Sequence, residues 1–307
     1  MAKNLISISD LSKDEILSLF SLTLEMKKGK YDNLVPLKNK LLAMIFYKPS
    51  TRTSISFASG MYQLGGLPII LTAEDLQLKR GESLADTARI FSLYVDGVVM
   101  RTMYHQDIME FAKFSSIPVI NGLTDLEHPC QVLSDVYTLY EKKCNFVAEK
   151  LESLKIVYVG DPNNVCNSWC LISGILGLNF TISCPPNYGI DERIKEKINE
   201  LGIKINIVFD PQEAVKDADA IYTDVWVSMG KENTREQRIK DFQKYQVNIE
   251  LLSKAKEDCV VMHCLPANRG EEITSEVMDG DNSLIFDQAE NRLHLQKALL
   301  LKFLKGE

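Results

Sequence analysis

The chain has 307 residues, 45% of them hydrophobic, which is enough for about two domains of ordinary size with buried cores. Its formal net charge of −7 argues against nucleic acid or an anionic membrane as the main partner, although a local arginine cluster can still bind a small anion. No apolar run approaches the roughly 20 residues of a membrane helix, and the first fifteen residues, MAKNLISISDLSKDE, carry no apolar core of a secretion signal.

In chain order, Ser9-Asp10 followed by an acidic turn reads as a helix start. The continuous apolar run 41–47 (LLAMIFY) reads as a buried strand and ends in Lys48-Pro49-Ser50-Thr51-Arg52-Thr53. Ile55, Phe57 and Met61 are then expected on the buried face of a helix. The same alternation continues with strands at 67–71, 97–100 and 117–120, and helices at 83–94 and 132–140. The polar segment around 145–153 marks a domain junction. A second series follows: strands at 155–159, 180–184, 203–209, 220–223 and 260–263, helices at 168–178 and 191–201, and a helical tail over 290–304. This predicts an α/β fold of two domains, each a mainly parallel sheet flanked by helices, joined by interdomain helices. The expected domains are 1–145, with 290–307 packing back on it, and 146–289.

Ligands of open α/β sheets bind beyond the carboxyl ends of the strands. Five segments fall there: Ser50–Thr53, Arg101, Asn163–Asn164, Asp224–Gly230 and His263–Pro266, and His128–Gln131 opens a helix. Hydroxyls, a guanidinium and free N–H groups at a helix start form a phosphate site; a plain Ser/Thr cap beside a solvated Arg52 fits the same four residues. Arg101 follows a strand of four apolar residues, where an arginine taken alone is more often a structural ion pair than a site residue. His128 and Gln131 offer donors to a carbonyl oxygen, against a structural role for a lone histidine. Gly160-Asp161-Pro162-Asn163-Asn164 lacks GxGxxG, so NAD is not expected; the two amides suit the polar end of an amino acid, or make a turn. Asp224 at a strand end suits an ammonium group. Cys264 reads as an inert thiol unless a base partners it. Seven cysteines, an odd number without a CxxC pair, fit a reduced cytoplasmic protein without a zinc site.

Taken together and in order, STRT (50–53), DTAR (86–89), Arg101, HPCQ (128–131), GDPNN (160–164), DVWVSMG (224–230), HCLP (263–266) and AENR (289–292) resemble the aspartate/ornithine carbamoyltransferase family over essentially the whole chain. DVWVSMG and HCLP resemble its ornithine branch. The resemblance implies carbamoyl transfer from carbamoyl phosphate to the δ-amine of ornithine, giving citrulline and phosphate in arginine biosynthesis. It implies that Ser50, Thr51, Arg52, Thr53, Gln77, Arg101, His128, Pro129, Cys130, Gln131, Cys264, Leu265 and Arg292 bind carbamoyl phosphate. Asn164, Asp224, Ser228 and Met229 would hold ornithine, and Arg101, His128 and Cys264 would act in catalysis. It also implies a cytoplasmic homotrimer with shared active sites, in which Gln77 reaches a neighbour's carbamoyl phosphate, and no metal or organic cofactor. One departure concerns the family's STRTR…FE: the second Arg is Ser54 here and the Glu is Ala58. These positions face each other on a helix, so both charges of an ion pair are absent together and neither is left uncompensated.

Overall fold

The computed structural model describes residues 3–228 and 230–305. By internal contacts the chain divides into two units, Met1–Ser134 with Asn291–Glu307, and Asp135–Glu290. The division falls inside a helix, Pro129–Lys142, rather than in the polar segment around 145 where the sequence places it.

The first unit contains α1 (Lys13–Lys27), β1 (Leu41–Phe46), α2 (Thr51–Gln63), β2 (Leu67–Thr72), α3 (Leu84–Tyr94), β3 (Gly97–Arg101), α4 (His105–Phe114), β4 (Val119–Leu123) and the start of α5 (Pro129–Lys142). Each strand–helix–strand step crosses over, so all pairings are parallel and the strand order is β2-β1-β3-β4. The core under this sheet is aliphatic, with Ala43, Ile45, Val98 and Met100 packed on Ile108 and Phe111. α1 is capped by Ser12, whose hydroxyl accepts from Glu15 N while Glu15 reaches back to Ser12 N. The helix start therefore lies two residues beyond Ser9-Asp10, which belong to a single 3-10 turn. In α2 the buried face is Thr53, Phe57, Gly60 and Met61. Ile55 is 60% exposed, a correction to the face read from sequence: two helical positions from Phe57 turn a side chain about 200° away.

The second unit carries the rest of α5, then α6 (Ala148–Ser153), β5 (Lys155–Val159), α7 (Asn164–Leu176), β6 (Asn179–Ser183), α8 (Glu192–Glu200), β7 (Asn206–Ile207), α9 (Pro211–Val215), β8 (Ala220–Thr223), α10 (Arg235–Phe242), α11 (Ile249–Leu252), β9 (Val260–His263), α12 (Ser275–Met278) and the first turns of α13 (Ile285–Lys305). Its sheet is again parallel, ordered β7-β6-β5-β8-β9. The strand expected over 203–209 pairs only at Asn206–Ile207, on the sheet edge. Val157, Val159, Ile221, Val261 and Trp226 lie in its core.

Two parallel sheets thus define two crevices where strand order reverses: beyond β1 and β3 in the first unit, and beyond β5 and β8 in the second. Among the described residues no helix is long and apolar enough to cross a membrane.

Candidate active site

At the first crevice, β1 runs into the N-terminus of α2. Ser50 is the N-cap residue, yet its side chain makes no capping bond. Its hydroxyl instead accepts from Arg101 Nη1 at 3.2 Å, which ties the end of β3 to the start of α2. The first-turn N–H groups of α2 are thereby left uncapped by Ser50 and available to an anion in the positive field of the helix end. Thr53 is buried, and its hydroxyl accepts from Arg292 Nη2 at 2.8 Å, although the two residues are 239 positions apart. Thr51 is exposed and Arg52 half-buried on the first turn.

His128 is buried just before α5. Burial, and then the positive charges of Arg292, Arg101 and Arg52, hold its imidazole well below the usual histidine range. Three guanidinium groups therefore bear on one neutral imidazole, which can donate a single ring N–H to an oxygen. Gln131 is buried one turn along α5. Cys130 differs in kind: its thiol donates to the carbonyl of Asn121 on β4 at 3.3 Å, and burial pushes it up to about 12. A ligand could meet only backbone at that position, and Pro129 beside it has no N–H to offer. Gln77 is exposed at the start of a short 3-10 turn, Gln77–Arg80. Asp86 and Arg89 of the DTAR motif form an exposed ion pair at 2.8 Å. Ser54 and Ala58 are both half-buried on α2.

At the second crevice, Gly160 follows β5 with φ of 130°, a conformation that suits glycine. It leads to Asp161, which is 1% exposed, paired with Arg238 at 2.9 Å, and accepts from Ser228 Oγ at 3.4 Å and Lys231 Nζ at 3.5 Å. Nothing in the sequence pattern marks Arg238, which lies in polar α10. Asn163 caps α7, its Oδ1 accepting from Val165 N at 2.9 Å and Cys166 N at 3.2 Å. Its Nδ2 donates to Asp224 Oδ2 at 2.7 Å. Asn164 is half-buried as the first residue of α7, and Met229 lies outside the described residues.

Asp224, 6% exposed at the end of β8, also accepts from Val225 N at 2.8 Å and from the thiol of Cys264. All of these donors are neutral, and no lysine or arginine among the described residues pairs with it. Cys264 follows β9 and is carried by the second unit, with Asp224. Burial, then the Asp224 charge, raises its thiol well above the usual range, while a hydrogen bond from Tyr222 works the other way. It is a protonated donor here, not a thiolate nucleophile. Leu265 has φ of 60°, in the left-handed region, and its N–H donates to His263 Nδ1 at 2.8 Å. His263 Nε2 in turn faces Glu272 Oε1 at 3.1 Å, both fully buried, which fixes the Nε2–H tautomer. Glu272 is a residue the motif reading missed. Asp224, His263 and Cys264 present ligand-type atoms within 4.8 Å of one another, but both ring nitrogens of His263 already have partners.

One crevice thus collects cations at a helix N-terminus, the other a carboxylate awaiting one. The family model described as the carbamoyl-P binding domain of aspartate/ornithine carbamoyltransferase matches residues 3–141, and that of its Asp/Orn binding domain matches residues 152–303. The chain belongs to the aspartate/ornithine carbamoyltransferase family. Among its relatives, an ornithine carbamoyltransferase of Archaeoglobus fulgidus is 53% identical over 307 residues, covering 99% of this chain and 98% of the relative. One of Methanosarcina mazei is 51% identical, covering 99% and 100%. The solved ornithine carbamoyltransferase of Pyrococcus furiosus superposes with a TM-score of 0.92 at 44% identity, covering 100% of this chain and 98% of that one.

Proposed function

We propose that this chain transfers the carbamoyl group of carbamoyl phosphate to the δ-amine of L-ornithine, releasing L-citrulline and phosphate. The observation that carries the choice of acceptor is Asp224: a buried carboxylate held by neutral donors, with which no lysine or arginine among the described residues pairs. Such a group costs several kcal/mol to bury unless a partner arrives, and a cationic amino acid is that partner. An acceptor with a second carboxylate would be repelled there.

In this reading Ser50, Thr51, Arg52 and Thr53 bind the phosphate through hydroxyls, the α2 N–H groups and the Arg52 guanidinium. Arg292 orients Thr53. Arg101, neutral His128 and Gln131 donate to the carbamoyl oxygen, and their donors strengthen as that oxygen becomes an oxyanion. The neutral δ-amine attacks the carbamoyl carbon, a C–N bond forms, the C–O bond to phosphate breaks, and the amine proton leaves with the phosphate. Pro129 and Cys130 contribute only backbone. Asn164, Asp224, Ser228 and Met229 hold ornithine, and Cys264 and Leu265 serve the carbamoyl group, partly through their backbone carbonyls.

The same reading takes the protein to be a cytoplasmic homotrimer serving arginine biosynthesis, with Gln77 reaching the carbamoyl phosphate of a neighbouring subunit. Support for self-association comes from apolar side chains left in solvent around the edge strand: Leu67 and Ile70 on β2, Ile55 and Tyr62 on α2, and Leu93 and Tyr94 on α3 are each more than half exposed. The test is phosphate release from carbamoyl phosphate with ornithine, putrescine, N-acetylornithine or aspartate, with citrulline measured in parallel. Equal amounts of phosphate and citrulline with ornithine alone are expected. Turnover with another amine instead, or with none, overturns the assignment.

A further inference from the structure

We infer that Asn163 is a positioning residue for the acceptor: one amide caps α7 and at the same time holds the carboxylate of Asp224 in the orientation that receives the substrate's ammonium group. The inference rests on the reading of Asp224 given above.

The two halves of this amide do different work. Oδ1 accepts from Val165 N at 2.9 Å and Cys166 N at 3.2 Å, and from the hydroxyl of Tyr158 at 3.2 Å. Because the two backbone partners can only donate, the oxygen must face the helix, so the NH2 group must face Asp224. It does so at 2.7 Å, the short distance expected of a donor to a charged acceptor. Val225 N takes the other carboxylate oxygen at 2.8 Å. The carboxylate plane is thus pinned from both oxygens without losing charge. Asn163 is 5% exposed, and α7 behind it is buried from Val165 to Ser173, so the amide stands on a fixed base.

Capping alone does not explain the residue. Ser, Thr and Asp cap helices about as well as Asn. Of the four, only Asn carries a donor on the same planar group as the capping acceptor. Aspartate would set a second carboxylate against Asp224, and serine is too short to serve both ends. The requirement for both contacts together selects asparagine at 163, and the residue acts through Asp224 without touching substrate.

The test compares wild type with Asn163→Ser and Asn163→Asp by thermal melting, KM for ornithine, KM for carbamoyl phosphate and kcat. Asn163→Ser keeps a capping oxygen, so its melting temperature stays close to wild type, whereas Asn163→Asp sets a second buried carboxylate against Asp224 and melts lower. The expected result is a KM for ornithine raised about 10- to 100-fold in Asn163→Ser, from the lost hydrogen bond to a charged group, and raised further in Asn163→Asp. KM for carbamoyl phosphate, whose proposed binding residues around α2 lie in the other unit, stays unchanged. A stable Asn163→Ser variant with wild-type KM for ornithine overturns the inference and leaves Asn163 as a cap only. A lowered melting temperature of Asn163→Ser with parallel losses for both substrates also overturns it. Absence of citrulline from the wild type overturns the reading of the site, and this inference with it; wild-type turnover with an unaffected variant overturns this inference alone.

Discussion

Replacing Asp224 with Asn keeps the shape of the side chain and removes its charge, so affinity and stability should separate. In the free protein the carboxylate is 6% exposed and receives neutral donors from Asn163, Val225 and Cys264. Removing its uncompensated charge relieves part of a burial cost of several kcal/mol. The amide has only one acceptor oxygen, however, so one of the donors at Asn163 or Val225 loses its partner, at about 1–3 kcal/mol. These terms oppose each other, and the melting temperature should move by less than about 4 °C, the shift expected from roughly 1 kcal/mol in a chain of this size. Ornithine binding has no such offset. Deleting one charge of a buried, hydrogen-bonded pair costs about 2–5 kcal/mol, so KM for ornithine should rise roughly 30- to 5,000-fold. The assay is steady-state citrulline formation with ornithine varied at saturating carbamoyl phosphate, alongside calorimetric melting. A KM within about threefold of wild type, well under 1.4 kcal/mol, would mean that Asp224 does not receive the acceptor. Melting far below wild type would mean that the carboxylate is a structural keystone, and would refute the charge argument from the other side.

Three further outcomes follow from the same geometry. His128 stays neutral in the folded protein to well below its ordinary range, whereas the unfolded chain protonates near pH 6.5, so the unfolded state binds more protons and acid costs stability from about pH 6.5 downward. The melting temperature should therefore fall more steeply between pH 7.5 and 5.5 in wild type than in a His128→Gln variant, and equal slopes would refute the assignment. The thiol of Cys264, raised well above its usual range, should be alkylated by iodoacetamide more slowly at pH 8 than a free thiol, and Cys264→Ser, which keeps a donor for Asp224, should retain kcat within about tenfold, far less than loss of a nucleophile costs. Glu272→Ala leaves the buried His263 Nε2 without its acceptor, which should cost roughly 1–3 kcal/mol and be visible as a lower melting temperature.

The strands were legible wherever burial on both faces wrote a continuous apolar run: 155–159, 220–223 and 260–263 agree residue for residue with β5, β8 and β9. Periodicity failed where the pattern was thin. Ile55 sits on α2 two positions from buried Thr53 and Phe57 but faces solvent, and 203–209 has strand-forming residues yet only a two-residue edge pairing. The helices α4, α6, α9, α10, α11 and α12 were not anticipated; several span only four to six residues, and α10 (REQRIKDF) is almost wholly polar. Of the candidate site, the segments at strand ends could be found from the crevice rule, because that rule depends on element order alone. The pairings could not: Thr53 with Arg292, Asn163 with Asp224 and Asp161 with Arg238 join residues far apart in sequence, and His263 with Glu272 joins two residues whose types alone do not imply contact.

The bond between Thr53 and Arg292 has a consequence for how the molecule is made. The first unit is discontinuous, and its last segment follows the whole of Asp135–Glu290. On the ribosome, at about 5–20 residues per second, the guanidinium that orients Thr53 emerges roughly 12–48 s after the hydroxyl it serves, 239 residues later. A nascent chain can shape the sheet of its first unit early, but the anion crevice gains its C-terminal arginine only near the end of synthesis. A truncated or stalled product would keep the α2 helix end and still lack one of the three cations that, together with burial, keep His128 neutral.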